Sequence, residues 1–150
     1  MEPYDSTQDT IEHIRQVDRL LDRLRWMLDT RAINHDLSKL HSPEKEAYDT
    51  YTPQLAGLTY GSEEYRAVLR EMRPAIEHHY AHNSHHPEHY DRGIAGMDLL
   101  DLVEMFCDWK AASLRHKDGD FAASLQINKE RFGISDQLMA ILENSVGLVE

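Results

Sequence analysis

The stretch MDLLDLVEMFCDWKAASLRHK, residues 97–117, says most about the fold. Apolar side chains occupy nearly every face of the helix that it would form, and such a helix lies in the middle of a helical protein. Asp101 and Asp108 stand seven residues apart and so share one face, with Glu104 beside them. Carboxylates on a central helix need a partner or a metal ion. A solvated face, paired with basic residues of the same helix, would also explain them.

Helical periodicity continues on both sides of this stretch. No segment alternates as a β-strand does. Asp118-Gly119-Asp120 is expected to end the central helix and to cap the next one. The other expected helices cover residues 10–31, 43 to just before Pro53 behind a Ser42 cap, 63–80 behind a Ser62 cap, 121–131, and 136–144 behind a Ser135 cap. We therefore expect an all-α protein of six or seven helices, in a single domain over residues 1–150.

Composition limits the classes of partner. No apolar run approaches the roughly 20 residues that span a bilayer, and the single cysteine, Cys107, fits a reducing compartment. The start of the chain lacks the order of a secretory signal, so we expect a cytoplasmic protein. A net charge of -11 disfavours a nucleic-acid duplex or an anionic membrane as partner. It leaves room for a small phosphorylated substrate, because bound divalent ions would reverse the local field. A homodimer is compatible with the sequence.

Histidine is concentrated in one segment. Six of the ten histidines lie in EHHYAHNSHHPEH, residues 77–89. Neighbouring histidines on a helix point about 100° apart, so His78 and His79 do not readily serve one ion. The pair could bridge two ions, or one ring could bind while the other forms a hydrogen bond. A surface histidine tract, a pH sensor or an adventitious zinc site remain alternatives.

Three further segments carry groups that bind Zn, Mn or Fe. His13 lies one turn before Val17 on the first expected helix, although a boundary histidine would look the same. His35-Asp36 directly follows a helix break, where an N-cap aspartate beside an exposed histidine is the alternative. Asp108 on the central helix completes the set.

In this order, the candidate ligands resemble those of the HD-domain superfamily of metal-dependent phosphohydrolases. His13 resembles the histidine on the family's early helix, and His35-Asp36-Leu37-Ser38-Lys39 resembles its His-Asp-Ile-Gly-Lys motif. The segment CDWKAA, residues 107–112, resembles the late Ala-Asp-x-x-x-Ala segment. The match covers roughly residues 10–116. The whole chain is also similar to small bacterial and phage proteins that carry the same histidine-rich loop.

Two departures from the patterns of known HD branches affect what the resemblance implies. Lys39 stands where those enzymes carry a catalytic glutamate. Together with the pair His78-His79, this lysine is similar to the multi-metal HD-GYP branch. The Gly-Tyr-Pro motif itself is missing, so specificity for cyclic dinucleotides is not implied. In an alternative alignment with the HD-GYP branch, His85-His86 would replace His78-His79 as the matching histidine pair.

The resemblance implies an HD-type helical bundle that holds two divalent ions, of Mn, Zn, Fe or Mg. The expected ligands of one ion are His13, His35, Asp36 and Asp108. The second ion would bind His78 or His79 together with His86, and Asp36 would bridge the two ions.

The expected reaction is hydrolysis of a phosphoester, with mono-, tri- or cyclic nucleotides as the favoured substrates. Asp36 and Lys39 are the expected catalytic residues, and Lys39, Lys110 and Arg115 are expected to bind the substrate. Tyr80, Tyr90 or Trp109 could stack on a base, although packing explains each of them. The alternatives are a non-catalytic domain that binds metal or a partner, and a di-iron oxygenase on an HD-like scaffold.

Overall fold

The computed structural model describes residues 3–59, 62–115 and 119–149. Within these ranges the chain forms six α-helices and no strand, which confirms the all-α expectation. The helices are α1 (Thr7–Asn34), α2 (Glu44–Ala56), α3 (Glu63–His82), α4 (Leu99–Ser113), α5 (Phe121–Phe132) and α6 (Asp136–Asn144). Short 3-10 turns cover Leu37–Leu40, Pro87–His89, Gly93–Gly96 and Val146–Leu148. None of the described helices has the length and apolar content that a membrane-spanning segment requires.

The chain divides into two compact units. The first ends at Asn34 and contains α1, which extends the expected helix by a turn at each end. The amide of Thr7 donates to the Asp5 carboxylate at 3.0 Å and so begins the helix. The second unit begins at His35 and contains the other five helices. A single domain over the whole chain stays a prediction.

Short polar side chains begin the helices of the second unit. Ser62, Asp120 and Ser135 each accept a hydrogen bond from the backbone amide three residues later, as the sequence predicts. Asp98 begins α4 with a reciprocal capping box. The predicted role of Asp118 lies outside the described residues.

The expected boundaries of two helices were wrong. Helix α2 continues through Pro53 to Ala56, although an internal proline removes a hydrogen bond and costs about 3 kcal/mol. Helix α2 packs along α3. It begins at Glu44, one residue after the expected start at Pro43, and no side chain caps it, so the expected Ser42 cap was wrong. Helix α4 is shorter than expected, because the Asp98 cap delays its start to Leu99 and it ends at Ser113.

The core of the second unit lies between α4, α5 and α6. It is formed by Met105, Phe106, Trp109, Phe121, Leu125, Ile134, Met139 and Leu142. One face of α4 packs into this core, while Leu99 and Val103 on other faces are exposed. This packing fixes the rotation of α4 and leaves Glu104 and Asp108 half-buried on a face directed toward the histidines.

Candidate metal centre

Asp36 lies between the groups of side chains that make up the candidate centre. It caps the 3-10 turn that begins at Leu37, with a φ of 57°. This left-handed conformation is uncommon for residues with a side chain, but aspartate adopts it more readily than most. Such backbone outliers concentrate at functional sites. Here the turn directs the two carboxylate oxygens toward different partners.

The Oδ1 atom of Asp36 faces histidines from α3 and from the loop that follows it. It lies 3.2 Å from Nε2 of His79 and 3.5 Å from Nε2 of His85. Nε2 of His86 lies 2.9 Å from Nε2 of His79. These four ligand atoms all lie within 4.8 Å of one another. Asp36, His79, His85 and His86 therefore form the first ligand group.

The buried carboxylate of Glu44 fixes the His79 ring. Glu44 is 0% exposed, and its Oε2 lies 2.8 Å from Nδ1 of His79. The Ser38 hydroxyl donates to the same oxygen at 2.9 Å, and Nδ1 of His78 lies 2.8 Å from Oε1. A carboxylate at Nδ1 holds the proton there and leaves Nε2 as the ligand atom. Glu44 therefore turns the Nε2 lone pair of His79 toward Asp36.

Glu104 plays the same part for two other rings. Its Oε1 lies 2.9 Å from Nδ1 of His35 and 3.1 Å from Nδ1 of His85. Nε2 of His35 then faces Oδ2 of Asp36 and Oδ1 of Asp108, each at 3.6 Å. His35, Asp36 and Asp108 form the second ligand group.

His35, His85 and Glu104 are also close enough to form a ligand group of their own. A carboxylate that accepts a hydrogen bond from each ring explains their spacing without an ion.

Two buried atoms support a cation at the first ligand group. Within the described part of the chain, neither Oδ1 of Asp36 nor Nε2 of His85 has a hydrogen-bond partner. A carboxylate oxygen and unprotonated ring nitrogens repel one another unless a positive charge lies between them. Their separations of 3.2 and 3.5 Å match the edge of about 3.3 Å expected for a tetrahedron with bonds of about 2.0 Å. The residues of the group therefore fit a divalent ion.

Burial and nearby charges keep His86 and Asp36 of the first ligand group in the protonation states that bind a metal ion. Burial, the largest cause, lowers the pKa of His86 to about 3. Its ring is therefore neutral at neutral pH, as a ligand must be. Burial raises the pKa of Asp36, but the His79 ring and the Lys39 ammonium group outweigh burial and hold that pKa far below its usual value. Asp36 is thus ionised.

His35 carries the charge that an ion would replace. The nearby carboxylates of Asp108 and Glu104 raise the pKa of His35 to about 10. In the metal-free protein the imidazolium therefore neutralises nearby carboxylates. Metal binding would displace this proton, as is usual for histidine ligands.

Most of the ligands predicted from the sequence come together. His35, Asp36, His79, His86 and Asp108 all belong to the two ligand groups. His85, which the sequence offered only in another register, joins them.

The other two predicted ligands, His78 and His13, lie in different units. His78 points to Glu44 and stacks on His82, with ring centroids 4.0 Å apart, and it is in neither ligand group of the described residues. His13 lies on α1 in the first unit, whereas both ligand groups belong to the second. Its role as a ligand stays a prediction.

Sequence reasoning missed the part of Glu44 and underestimated that of Glu104. Glu44 follows a Ser-Pro pair and looks like the ordinary acidic first turn of a helix. Glu104 stands four residues before Asp108, so their shared helix face was the available signal. Asp101, grouped with them in the sequence, is buried and accepts hydrogen bonds from Ser84 and Tyr90 at 2.6 Å each, which makes it structural.

The predicted cationic residues lie in different surroundings. Nζ of Lys39 donates to Oδ2 of Asp36 at 2.6 Å and therefore lies at the centre. Nζ of Lys110 lies 5.3 Å from the centre of the Phe121 ring. Arg115 is exposed beyond the end of α4. Substrate binding by Lys110 and Arg115 stays a prediction.

A cavity of about 590 Å³ adjoins the centre, and we call it the α4–α5 cavity. His86 and Asp108 belong both to its wall and to the ligand groups. The rest of its wall includes Tyr80, Glu88, Asn128 and Arg131. A molecule in this cavity would lie directly against the candidate ligands.

The chain belongs to DUF5662, a family of unknown function, whose sequence profile matches residues 2–148. The comparisons with curated proteins and with solved structures each found no match.

Proposed function

We propose that the chain is a metal-dependent phosphohydrolase whose two divalent ions are bridged by Asp36, with nucleotides as the favoured phosphoesters. The observation that carries the proposal is the division of one carboxylate between two ligand groups. Oδ1 of Asp36 faces His79 and His85, and Oδ2 lies 3.6 Å from Nε2 of His35. A bridging carboxylate is what a pair of neighbouring ions needs.

The two ions would differ in the number of their protein ligands and in their exposure to solvent. The first ion would have four protein ligands, and its His79 and His85 are only 2% exposed. The second would have three ligands in the described part of the chain, and there His35 and Asp108 are 30% and 26% exposed. Catalytic sites keep a coordination position open, whereas structural sites are closed. The second group therefore supports catalysis.

When bound, a pair of divalent ions supplies Lewis acidity and activates water for attack on phosphorus. Residues of the chain would hold the ligands in place and supply a further positive charge. Asp36 remains ionised and Glu104 holds the His35 ring in place. Lys39 supplies a positive charge at the edge of the centre, where it can pair with a phosphoryl oxygen.

The test is to load chelator-treated protein with Mn, Zn, Fe or Mg, and to measure metal content and phosphate release. The substrates are nucleoside mono- and triphosphates, cyclic nucleotides and p-nitrophenyl phosphate. We expect about two ions per chain and turnover of at least one phosphoester. His35→Ala should remove one ion, whereas His82→Ala, a matched histidine outside both ligand groups, should keep both. Two ions without any phosphate release would refute hydrolysis.

A non-catalytic metal-binding domain is the second candidate. The observation that favours it is the four-ligand first group, which is sufficient for a closed structural site. It predicts one ion per chain, no turnover, and a melting temperature that rises with metal. Dependence on iron, with visible absorption and no phosphate release, would instead favour the di-iron oxygenase.

A further inference from the structure

We infer that the α4–α5 cavity binds the organic part of a phosphomonoester, and that this part is an uncharged ring compound rich in hydrogen-bond donors. The site would thus prefer monophosphates to di- and triphosphates. This inference rests on the proposed function for the position of the phosphoryl group. It adds the class of substrate and the residues that select it.

The position and size of the cavity suit this role. Its volume of about 590 Å³ lies within the range of about 300–1,000 Å³ typical of small-molecule sites. His86 and Asp108 form part of its wall and belong to one ligand group each. A phosphomonoester whose phosphoryl group reaches the candidate ions would therefore extend its organic part into this cavity.

The charge of the wall disfavours further phosphates. Besides Asp108, whose charge the proposed ions would offset, the carboxylates of Glu88 and Asp120 line the cavity. Among the lining residues that the structure describes, Arg131 is the one permanent cation, and its Nη2 lies 2.8 Å from Oε1 of Glu88. A second or third phosphate in the cavity would meet an excess of negative charge. Hydroxyl and amino groups would instead find acceptors.

The charge of the centre agrees with a single phosphate. The positive charge of two divalent ions would be balanced by four nearby carboxylates, those of Asp36, Asp108, Glu104 and Glu44. Lys39 then remains as the cation in excess. This small surplus suits one phosphoryl group and not a chain of three.

The remaining wall suits a polar ring. Asn128 and Ser124 provide an amide and a hydroxyl group that both donate and accept hydrogen bonds. The Ser113 hydroxyl donates to the Lys110 carbonyl at 2.7 Å and can accept from a ligand. Phe132 and Trp109 provide apolar surface, and their rings stack with centroids 5.8 Å apart. A nucleoside and a sugar share this chemistry of a ring with several hydroxyl groups.

The test uses binding rather than turnover. The chain has two tryptophans, so in a Trp26→Phe background the fluorescence of Trp109 reports on the cavity wall. The metal-loaded protein is titrated with adenosine monophosphate, adenosine diphosphate, ribose 5-phosphate and inorganic phosphate. We expect the monophosphate to bind about tenfold more tightly than the diphosphate, the size expected for screened repulsion between like charges several ångströms apart.

Inorganic phosphate should bind more weakly than adenosine monophosphate, because it leaves the cavity empty. Ribose 5-phosphate distinguishes a site for a nucleoside from a site for a sugar. Affinity equal to that of adenosine monophosphate indicates a sugar site, and weaker binding indicates a nucleoside site.

Two variants test whether charges in the cavity wall cause the preference for monophosphates. Glu88→Gln frees Arg131 from its partner and should bring the affinities for mono- and diphosphate to within about twofold of each other. Arg131→Gln should widen the difference. Asp136→Asn makes the same change of charge as Glu88→Gln on α6, in an exposed pair with Lys129 outside the cavity wall, and should leave the ratio unchanged.

The outcomes separate this inference from the proposed function. Selective binding of the monophosphate without phosphate release would refute hydrolysis and keep the cavity assignment. Equal affinity for mono- and diphosphate, or inorganic phosphate binding as tightly as adenosine monophosphate, would overturn the cavity assignment even if phosphate is released. A ratio that does not respond to Glu88→Gln would overturn it as well.

Discussion

Replacing Glu44 by glutamine should weaken metal binding although Glu44 belongs to neither ligand group. The carboxylate is 0% exposed and receives His78 and His79 at 2.8 Å each and the Ser38 hydroxyl at 2.9 Å. Glutamine keeps the shape but presents an NH₂ group to one of these donors. The His79 ring would then lose the proton acceptor that keeps Nε2 free.

The expected effects of Glu44→Gln on stability and on metal affinity follow from the loss of one hydrogen bond to the carboxylate. A hydrogen bond to a charged group contributes about 1.5–3 kcal/mol, so losing one bond to Glu44 should lower the free energy of unfolding by about 2 kcal/mol. Loss of a partner that orients a ligand typically costs about 10–100-fold in metal affinity. We expect a loss in this range for the ion at the first ligand group.

The assay is competition for Zn between the protein and a fluorescent chelator, with thermal unfolding measured alongside. Glu46→Gln is the control, because it makes the same change at an exposed position of α2. Ser38→Ala removes one hydrogen bond to Glu44 and should lower the affinity by only a few-fold. Unchanged affinity in folded Glu44→Gln protein would refute the assignment of Glu44 as the group that orients His79. If Glu44→Gln does not fold, unchanged affinity in Ser38→Ala decides the question.

The other predictions concern residues of the centre and their neighbours. Asp108→Asn should abolish phosphate release while the helix signal in circular dichroism stays high, and retained turnover would show that the second ligand group is not the reactive one. Lys39→Ala should raise KM or lower kcat without loss of metal, and an unchanged kinetic profile would make Lys39 purely structural. His79→Ala should lose metal by elemental analysis and His78→Ala should keep it, because only His79 faces Asp36; the reverse result would invert the assignment within this pair.

Much of the candidate centre could be predicted because its chemistry is visible in residue types and in their order along the chain. His35-Asp36 after a helix break, a histidine cluster and Asp108 on a later helix were sufficient to select five side chains that lie together. The charge surroundings of these side chains were not predictable. The carboxylates that raise the pKa of His35 belong to Asp108 and Glu104, about seventy residues away in sequence.

The sequence by itself determined the helices and where most of them begin. Ser62, Asp120 and Ser135 could be identified as caps because each bonds to an amide only three residues away. Such local interactions are the same in any fold. The end of α2 could not be predicted in this way, because the helix continues to Ala56 although Pro53 removes one of its hydrogen bonds.

Only the tertiary structure decided which of two adjacent histidines faces Asp36. Along α3 the two rings point about 100° apart, and nothing in the local sequence distinguishes them. Glu44 on α2, 35 residues before His79, accepts hydrogen bonds from both rings. It leaves Nε2 of His79 3.2 Å from Asp36, while His78 stacks on His82. The direction of a ligand atom depends on a hydrogen bond between helices, and such a bond exists only after the helices have packed.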